Sequence, residues 1–239
     1  MIRVIPETGS TNADLAARLS AGEAVPEGEW LVADRQSAGR GRQGRTWFDG
    51  MGNFMGSTVV RPGPGDPPTS TLALVAGLAV HETVSPLIPP PQHAMLKWPN
   101  DVMIGSAKLC GILLEGASGL VIVGIGVNLA QAPRMEGRET IALSAFGPPP
   151  DRDGFATGLA RQFDLELGRW RNFGLEPLIR RWLAAGHPKG TLLSAGEPGT
   201  APLDGRFDGL AADGALQLLL ADGTRQTIHA GEVRLAPGN

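Results

Sequence analysis

The residues with the clearest chemical potential lie in an arginine- and glycine-rich stretch of the chain, 37–47. Arg40, Arg42 and Arg45 fall close together here and alternate with glycines. Glycines let a backbone approach a ligand closely, and arginines present forked donors that suit phosphates and carboxylates. This composition predicts a loop that becomes ordered over a small anion. The alternative is a solvated charged face, which has no need of the interleaved glycines.

The same stretch matches the P-loop pattern G-x-x-x-x-G-K-[ST] at all but one position. Gly39, Gly44 and Thr46 occupy the expected places, and Arg45 replaces the lysine. A P-loop needs a helix directly after the loop, because the helix N-terminus and the loop amides bind the phosphates. The following residues, 47–53, include two glycines, which disfavour a helix. We therefore expect a different kind of anion-binding loop.

A second cluster of charged and polar residues lies about 50 residues further along the chain. It comprises Lys97, Asn100 and Asp101 in the segment Lys-Trp-Pro-Asn-Asp, followed by Lys108. A lysine, an amide and a carboxylate at a strand end could hold a nucleotide with its Mg²⁺, since this ion prefers one or two carboxylates plus phosphate oxygens. The alternative is an exposed turn with ordinary surface charges.

Other potential motifs carry weaker signals. Gly124 and Gly126 follow a strand, as in a dinucleotide-binding fingerprint, but Leu129 stands where the third glycine or alanine would be. We interpret Gly124 as a site of close strand packing with a β-bulge. Cys110 lies in an apolar run and is expected to be buried and unreactive. The histidines are too scattered for a metal site; they are His81, His93, His187 and His229.

Composition and charge favour a cytoplasmic protein that does not bind nucleic acid. The chain has 239 residues, 42% of them hydrophobic, a net charge of −3 and a single cysteine. Its pI is about 5.8, whereas nucleic-acid-binding domains are usually basic throughout. No run approaches the roughly 18 apolar residues that span a membrane, and the N-terminus does not resemble a signal peptide.

The elements that must position these residues follow from hydrophobic periodicity and from Gly and Pro breaks. They are strands at 2–5, 30–34, 53–60, 94–98, 102–104, 108–115 and 120–127, and helices at 13–22, 70–84, 155–167 and 175–184. Strands joined by short turns are antiparallel neighbours. We therefore predict an α+β fold with a mixed or antiparallel sheet packed against helices.

The last 50 or so residues have a different texture. From Gly190 onward, short apolar runs alternate with Gly, Pro and Asp, and two Asp-Gly pairs, at 213–214 and 222–223, are typical of hairpins. This pattern predicts a small all-β barrel. We expect a first domain at 1–186 and a second at 187–239.

Taken together, the motifs resemble those of the biotin–protein ligases (biotin–[acetyl-CoA-carboxylase] ligases). The match runs in order through Ser10-Thr-Asn, Gln36, the loop Gly39–Trp47, Lys97–Asp101, Lys108-x-x-Gly111, Gly124-x-Gly-x-Asn128 and Ala230-Gly-Glu-Val233. The resemblance implies a class II synthetase-like ligase core with an SH3-like C-terminal barrel. It also implies a two-step reaction, in which biotin and MgATP form biotinyl-5′-AMP, and the biotinyl group then passes to a lysine of a biotin carboxyl carrier protein, a subunit of acetyl-CoA carboxylase.

The resemblance also implies roles for individual residues. It assigns biotin binding to Ser10, Thr11, Asn12, Gln36, Arg40, Gly41, Arg42, Lys108 and Gly111. It assigns ATP binding to Arg42, Arg45, Trp47, Asn100 and Asn128. Catalytic roles fall to Arg40, Arg42, Lys108 and Asp101, and Asp101 is the expected metal ligand.

Several of the motif positions have a simpler structural alternative. Ser10 or Thr11 can serve as a helix N-cap, alongside ligand binding. Trp47 can be a core aromatic, and Lys97 can simply support the end of its strand.

Several functional alternatives stay open at this point. A lipoate–protein ligase would share the fold and the adenylation chemistry, and a biotin-binding module would lack catalysis. The Ser-Thr-Asn segment begins at residue 10, so we expect the form without an N-terminal DNA-binding domain. We expect no nucleic-acid or membrane partner, and either a monomer or a homodimer.

Overall fold

The structure is a computed structural model, and it describes residues 1–134, 137–196 and 201–235. A seven-stranded sheet forms its centre. The strands are β1 (Ile2–Thr8), β2 (Trp30–Gln36), β3 (Phe54–Val60), β4 (Ala94–Lys97), β5 (Asp101–Ile104), β6 (Ala107–Ala117) and β7 (Leu120–Val127). Their order is β1-β2-β3-β7-β6-β5-β4, with β1 and β2 parallel and the other pairs antiparallel. The predicted mixed sheet is confirmed.

Successive side chains of a strand point to opposite faces of a sheet, so the central strands place apolar side chains on both faces. On one face, Val59 of β3 and Ile122 of β7 join a cluster with helix α1 (Thr11–Ser20). On the other, Val60 and Val123 join the main core. Both faces are therefore covered, which explains why β3 is buried along its whole length and why β7 is a nearly continuous apolar run.

Helix α1 starts two residues before its predicted start. Ser10 is the N-cap residue, and its side chain accepts a hydrogen bond from the Ala13 N–H at 3.5 Å. Thr11 and Asn12 thus form the first turn of the helix. Strand β2 also runs beyond its predicted end at Asp34, because its parallel pairing with β1 extends to Gln36.

The other face of the sheet is covered by helices α2 (Leu72–Val84), α3 (Arg152–Phe173) and α4 (Leu175–Ala185). Helix α3 is longer than predicted at both ends. Asp151 caps its start by accepting from the Gly154 N–H at 2.8 Å, and Gly174, with a φ of 71°, ends it. No helix in the described ranges combines the length and apolar character that a membrane span requires.

A second sheet follows the helices. It contains β8 (Leu192–Gly196), β9 (Leu203–Leu210), β10 (Leu216–Leu219), β11 (Arg225–Ile228) and β12 (Glu232–Leu235). The order β11-β10-β9-β8-β12 is antiparallel throughout. This arrangement fits the predicted SH3-like barrel, with β11 and β12 at the two edges among the described residues. Residues 236–239, the end of the predicted second domain, lie outside the described residues.

The two sheets share one hydrophobic core. Phe207 of β9 lies 6.5 Å from Trp182 of α4, centroid to centroid. The Trp98 indole donates to the Gly214 carbonyl at 3.1 Å. The second sheet therefore packs against α4 and beside the turn between β4 and β5, where the second polar cluster of the sequence lies.

Candidate active site

One pocket brings together every site residue predicted from the sequence. Its lining includes Ser10, Thr11, Asn12, Gln36, Arg40, Gly41, Arg42, Arg45, Trp47, Asn100, Asp101, Lys108, Gly111 and Asn128. The pocket opens between the start of α1, the arginine loop, strands β5 to β7 and the edge of the second sheet. Sequence-distant motifs thus converge on one cavity.

The start of helix α1 forms a polar wall of this pocket. The Thr11 N–H donates to Gln36 Oε1 at 2.8 Å, and the Thr11 hydroxyl lies 3.1 Å from the same oxygen. Both residues are buried. Capping the helix at Ser10 and extending β2 to Gln36 are the local features that bring these side chains together.

This wall continues through two residues that sequence reasoning missed, Ser57 and Glu115. The Ser57 hydroxyl lies 2.6 Å from the Thr11 hydroxyl and donates to Asn12 Oδ1 at 2.6 Å. Asn12 Nδ2 then donates to Glu115 at 2.6 Å. Ser57 is in a fully buried strand, and the polar character of a residue there was the available signal.

Glycines in β7 make room for these side chains. A Cβ atom on Gly124 would lie 2.3 Å from Asn12 Oδ1, and one on Gly126 would lie 2.2 Å from the Trp47 ring. The close packing expected at Gly124 is confirmed. The bulge expected there is wrong, because β7 pairs with β3 and β6 in unbroken register through this residue.

Trp47 lies across the floor of the pocket and is in contact with β6 and β7. Lys108 Nζ is 5.8 Å from its ring centroid, a cation–π geometry. A Cβ on Gly111 would come within 2.8 Å of the same ring. The indole Nε1 is buried and has no hydrogen-bond partner among the described residues. Trp47 is therefore a half-buried residue that lines the pocket and packs against the glycines of β6 and β7.

The arginine loop folds back on itself instead of leading into an α-helix. The Trp47 N–H donates to the Gly39 carbonyl at 2.8 Å, and the Gly41 N–H to the Arg45 carbonyl at 2.7 Å. Between them lies a three-residue 3₁₀ turn, Arg42–Gly44. A P-loop is therefore excluded here, as the glycines after Arg45 indicated.

Two loop arginines contact the second sheet. Arg42 donates to Asn100 Oδ1 at 3.1 Å and to the Gly231 carbonyl at 3.0 Å. Arg45 forms a two-pronged ion pair with Glu232, one contact being 2.5 Å. Arg138 binds the same carboxylate at 2.9 Å. Hydrogen bonding from Arg45, together with the nearby arginine charges, lowers the pKa of Glu232 to about 2.

We refer to Arg42, Arg45, Arg138, Gly231 and Glu232 as the loop clasp. Sequence reasoning missed Glu232 and Arg138 as partners of the loop, although the Ala230–Val233 segment was one of the motifs that indicated the family. Only the fold places that segment beside residues almost 190 positions earlier in the chain.

Asp101 occupies a cationic environment. It pairs with Lys108 at 2.5 Å and with Lys97 at 3.1 Å. Burial alone would raise the pKa of Asp101, but the charges and hydrogen bonds of the two lysines outweigh burial and lower it to about 2. Lys97 also donates to the Val233 carbonyl at 3.0 Å, and so links the end of β4 to β12 of the second sheet.

Two asparagines complete this side of the pocket. Asn100 Nδ2 donates to the Ile112 carbonyl at 2.6 Å, which leaves its oxygen for Arg42. Asn128 Nδ2 donates to the Ile141 carbonyl at 3.1 Å. The Asn128 oxygen is buried and lacks a hydrogen-bond donor among the described residues. It is thus an acceptor that a bound ligand could satisfy.

Comparison with known proteins identifies the family. The model of the biotin/lipoate A/B protein ligase family matches residues 4–130, and that of the biotin protein ligase C-terminal domain matches 196–235. The biotin–[acetyl-CoA-carboxylase] ligase of Paracoccus denitrificans is 36% identical over 96% of this chain and 98% of its own length. This chain belongs to the biotin/lipoate A/B protein ligase family.

Two further members of the ligase family are informative. The biotin–[acetyl-CoA-carboxylase] ligase of Mycobacterium tuberculosis is 42% identical over 71% of this chain, and the match spans 65% of that relative's length. The biotin protein ligase of Aquifex aeolicus, solved in complex with biotin and ATP, superimposes with a TM-score of 0.86 at 27% identity. That alignment covers 98% of this chain and 99% of the other. The ligase fold is therefore shared along nearly the whole chain.

Cys110 and possible clusters of metal ligands are the other chemical features to consider among the described residues of this ligase-family chain. Cys110 is buried, and burial raises the pKa of its thiol, as expected for an unreactive cysteine. The described residues contain no group of three or more His, Cys, Asp or Glu side chains that could hold a metal.

Proposed function

We propose that this protein is an ATP-dependent biotin–protein ligase. It activates biotin with MgATP to biotinyl-5′-AMP and then transfers the biotinyl group to a specific lysine of a biotin carboxyl carrier protein, a subunit of acetyl-CoA carboxylase. The observation that carries the proposal is a single pocket that joins a wall of hydroxyl and amide groups to a concentration of arginines and lysines. The wall of hydroxyl and amide groups suits a polar uncharged ring such as that of biotin. The arginines and lysines suit a carboxylate and a phosphate that react with each other.

In the first step, a carboxylate oxygen of biotin attacks the α-phosphorus of ATP. The bond from that phosphorus to the bridging oxygen breaks, and pyrophosphate leaves. Two anions must meet, so cationic groups are needed where they react. Arg40, Arg42 and Lys108 are the candidates for this role, with Lys108 contacting the carboxylate and the acyl-phosphate oxygen.

In the second step, the ε-amine of the carrier lysine attacks the acyl carbon. The bond between that carbon and the phosphate oxygen breaks, AMP leaves, and the amine gives up a proton to solvent. Asp101 lies beside Lys108 and can orient the incoming amine. Its pKa of about 2 makes it a weak base, so we assign it positioning and not proton removal.

The nucleotide side of the pocket is assigned to Trp47, Asn100, Asn128 and Arg45. The unpartnered Asn128 oxygen supports this assignment, since it can accept from an amino group of the base. Mg²⁺ would neutralise phosphate charge. Asp101 is the carboxylate that would reach it, and with a single carboxylate the ion would be held mainly by phosphate oxygens.

The remaining predictions are also proposals. We place the boundary between catalytic and C-terminal domains at 186/187 and the protein in the cytoplasm. We propose neither nucleic acid nor membrane as a partner, and a monomer or homodimer as the assembly.

Radiolabelled transfer tests the function directly. The protein would be incubated with MgATP, a purified biotin carboxyl carrier domain, and either labelled biotin or labelled lipoate. We expect label on the carrier with biotin only. Transfer of lipoate alone would replace the proposal with a lipoate–protein ligase.

Biotin-dependent exchange of pyrophosphate into ATP isolates the first step. A ligase exchanges label only when biotin is present. Folded protein that binds biotin but supports no exchange would be a binding module and not an enzyme.

A further inference from the structure

We propose that Glu115 is a positioning residue that sets the direction of the hydrogen-bond chain Thr11–Ser57–Asn12, and through it the kind of group that the polar wall accepts. The inference rests on the proposed function, because it concerns how the same pocket holds biotin. Gln36 contacts the Thr11 end of this hydrogen-bond chain, and Glu115, on β6, contacts the Asn12 end. No motif in the sequence pointed to Glu115.

The direction is set at the carboxylate. An ionised carboxylate can only accept hydrogen bonds, so the Asn12 group that faces Glu115 at 2.6 Å must be the amide nitrogen. The Asn12 oxygen consequently faces Ser57, also at 2.6 Å, and accepts its proton. A neutral partner at position 115 would allow the Asn12 amide either orientation.

The remaining hydroxyls follow in turn. Ser57 has one proton, which it gives to Asn12, so it must accept across its 2.6 Å contact with Thr11. Thr11 therefore donates to Ser57 and not to the more distant Gln36 oxygen at 3.1 Å. The Gln36 oxygen is held instead by the Thr11 backbone N–H at 2.8 Å.

This direction gives the wall a defined polarity. No hydrogen bond among the described residues is then donated to the Thr11 hydroxyl oxygen, which stays a free acceptor. The Gln36 amide nitrogen is left as a donor, because its oxygen is occupied. An acceptor beside a donor complements a ligand N–H beside a carbonyl, which is the pattern of a cyclic urea. If the chain ran in reverse, Ser57 would donate to Thr11 and use part of its acceptor capacity.

Glu115 also lies near the arginine loop, since Arg40 Nη2 is 3.7 Å from its carboxylate. A change at Glu115 could therefore act through Arg40 as well. The test must therefore distinguish an effect through Asn12 from an effect through Arg40. Moving the carboxylate to position 12 and the amide to position 115 does so.

Three variants form the test, assayed by biotin-dependent ATP–pyrophosphate exchange. In Glu115→Gln the chain can run either way, and we expect the KM for biotin to rise about three- to tenfold while the KM for ATP changes less than about twofold. Asn12→Asp sets two carboxylates face to face and should raise the KM for biotin at least about tenfold.

The double variant Asn12→Asp/Glu115→Gln is decisive. The new amide at position 115 can donate to the new carboxylate at position 12, and that carboxylate still accepts from Ser57. The original direction is thereby restored without a charge at position 115 for Arg40. We expect a KM for biotin within about threefold of wild type, a non-additivity that only a coupled pair gives. Glu176→Gln, on an exposed helix position, is the matched control.

Each alternative outcome has a defined meaning. A wild-type KM in Glu115→Gln, or a double variant no better than Asn12→Asp, would overturn the inference. Should either single variant fail to fold by circular dichroism, Ser57→Ala breaks the chain at its centre, and an unchanged KM for biotin there would overturn it equally. If wild-type protein itself showed no biotin-dependent exchange, the proposed function would have failed and not merely this inference.

Discussion

Lys108 has several electrostatic roles at one position. Its ammonium group is 2.5 Å from Asp101 and 5.8 Å from the centroid of Trp47, and its side chain is only 15% exposed. A partly buried cation held by a carboxylate and an aromatic face is fixed in place before a substrate arrives. Such a preorganised charge stabilises a transition state far more than the charge of a mobile surface lysine does.

We expect Lys108→Ala to slow formation of biotinyl-AMP by about a hundredfold or more. Transfer from preformed biotinyl-AMP to the carrier should be affected less, because the acyl group is then already activated. Pyrophosphate exchange and single-turnover transfer measure the two steps separately. Lys189→Ala, at a side chain that is 69% exposed, is the control. An unaltered first half-reaction would refute the role given to Lys108.

Gly126 determines the position of Trp47. A Cβ at this residue would approach three atoms of the indole ring to between 2.2 and 2.6 Å, so the ring would have to leave its place. We expect Gly126→Ala to destabilise the fold by about 1–3 kcal/mol and to weaken nucleotide binding. Gly116→Ala, where no atom lies within 4 Å of the added carbon, should be neutral. Thermal unfolding and ATP titration would check both, and equal behaviour of the two variants would show that Trp47 can readily move.

At the scale of elements, the arginine loop and strand β12 act together. Trp47 packs the loop against β6 and β7 of the larger sheet, and the loop clasp links it to Gly231 and Glu232. The C-terminal sheet therefore contributes to the pocket as well as to the core. This suggests a purpose for a small sheet whose function was not apparent from its sequence.

Weakening the clasp should expose the loop. In Glu232→Gln the charged partner of Arg45 and Arg138 is lost, and we expect trypsin to cleave after the loop arginines about three- to tenfold faster than in wild type. Adding biotin and MgATP should restore protection. The cleavage sites can be identified by mass spectrometry, with Glu176→Gln as control. If cleavage were as slow as in wild type, the ion pairs would not be what holds the loop.

At the scale of the whole molecule, His187 reports on the junction of the two sheets. It is 8% exposed and lines a small cavity with Trp182, Leu193 and Phe207. Burial, assisted by the charge of Lys97, lowers the pKa of His187 from 6.5 to about 4. Below pH 6.5 the unfolded chain gains a proton here that the folded chain does not accept until about pH 4. The folded state should thus lose stability as the pH falls through this window.

We expect His187→Gln to reduce this pH dependence. The unfolding temperature of wild type should fall between about pH 6.5 and pH 4.5 by more than that of the variant, even if the variant is less stable at about pH 7. Differential scanning calorimetry at several pH values would compare them. Parallel curves would mean that other groups dominate acid sensitivity and that the junction stays accessible to protons.

Much of this protein could be predicted from local sequence because local physics determines it. The strands of the larger sheet, its mixed character and the helices followed from periodicity, short turns and Gly or Pro breaks. The misplaced boundaries, at Gln36, Thr11 and both ends of α3, depend on strand pairing and caps. The rejection of a P-loop at Arg45 followed from the same local rules.

What the sequence by itself determined was a set of residues that all line one pocket, because the order and spacing of the motifs match one family along nearly the whole chain. What only the tertiary structure decided was how those residues meet. Ser57 and Glu115 join the wall at Asn12, and Glu232 clasps Arg45, through contacts between positions 45 to 187 residues apart. Such contacts depend on the order of strands in the larger sheet and on how the two sheets pack together. The spacing of residues within one motif does not specify either of these.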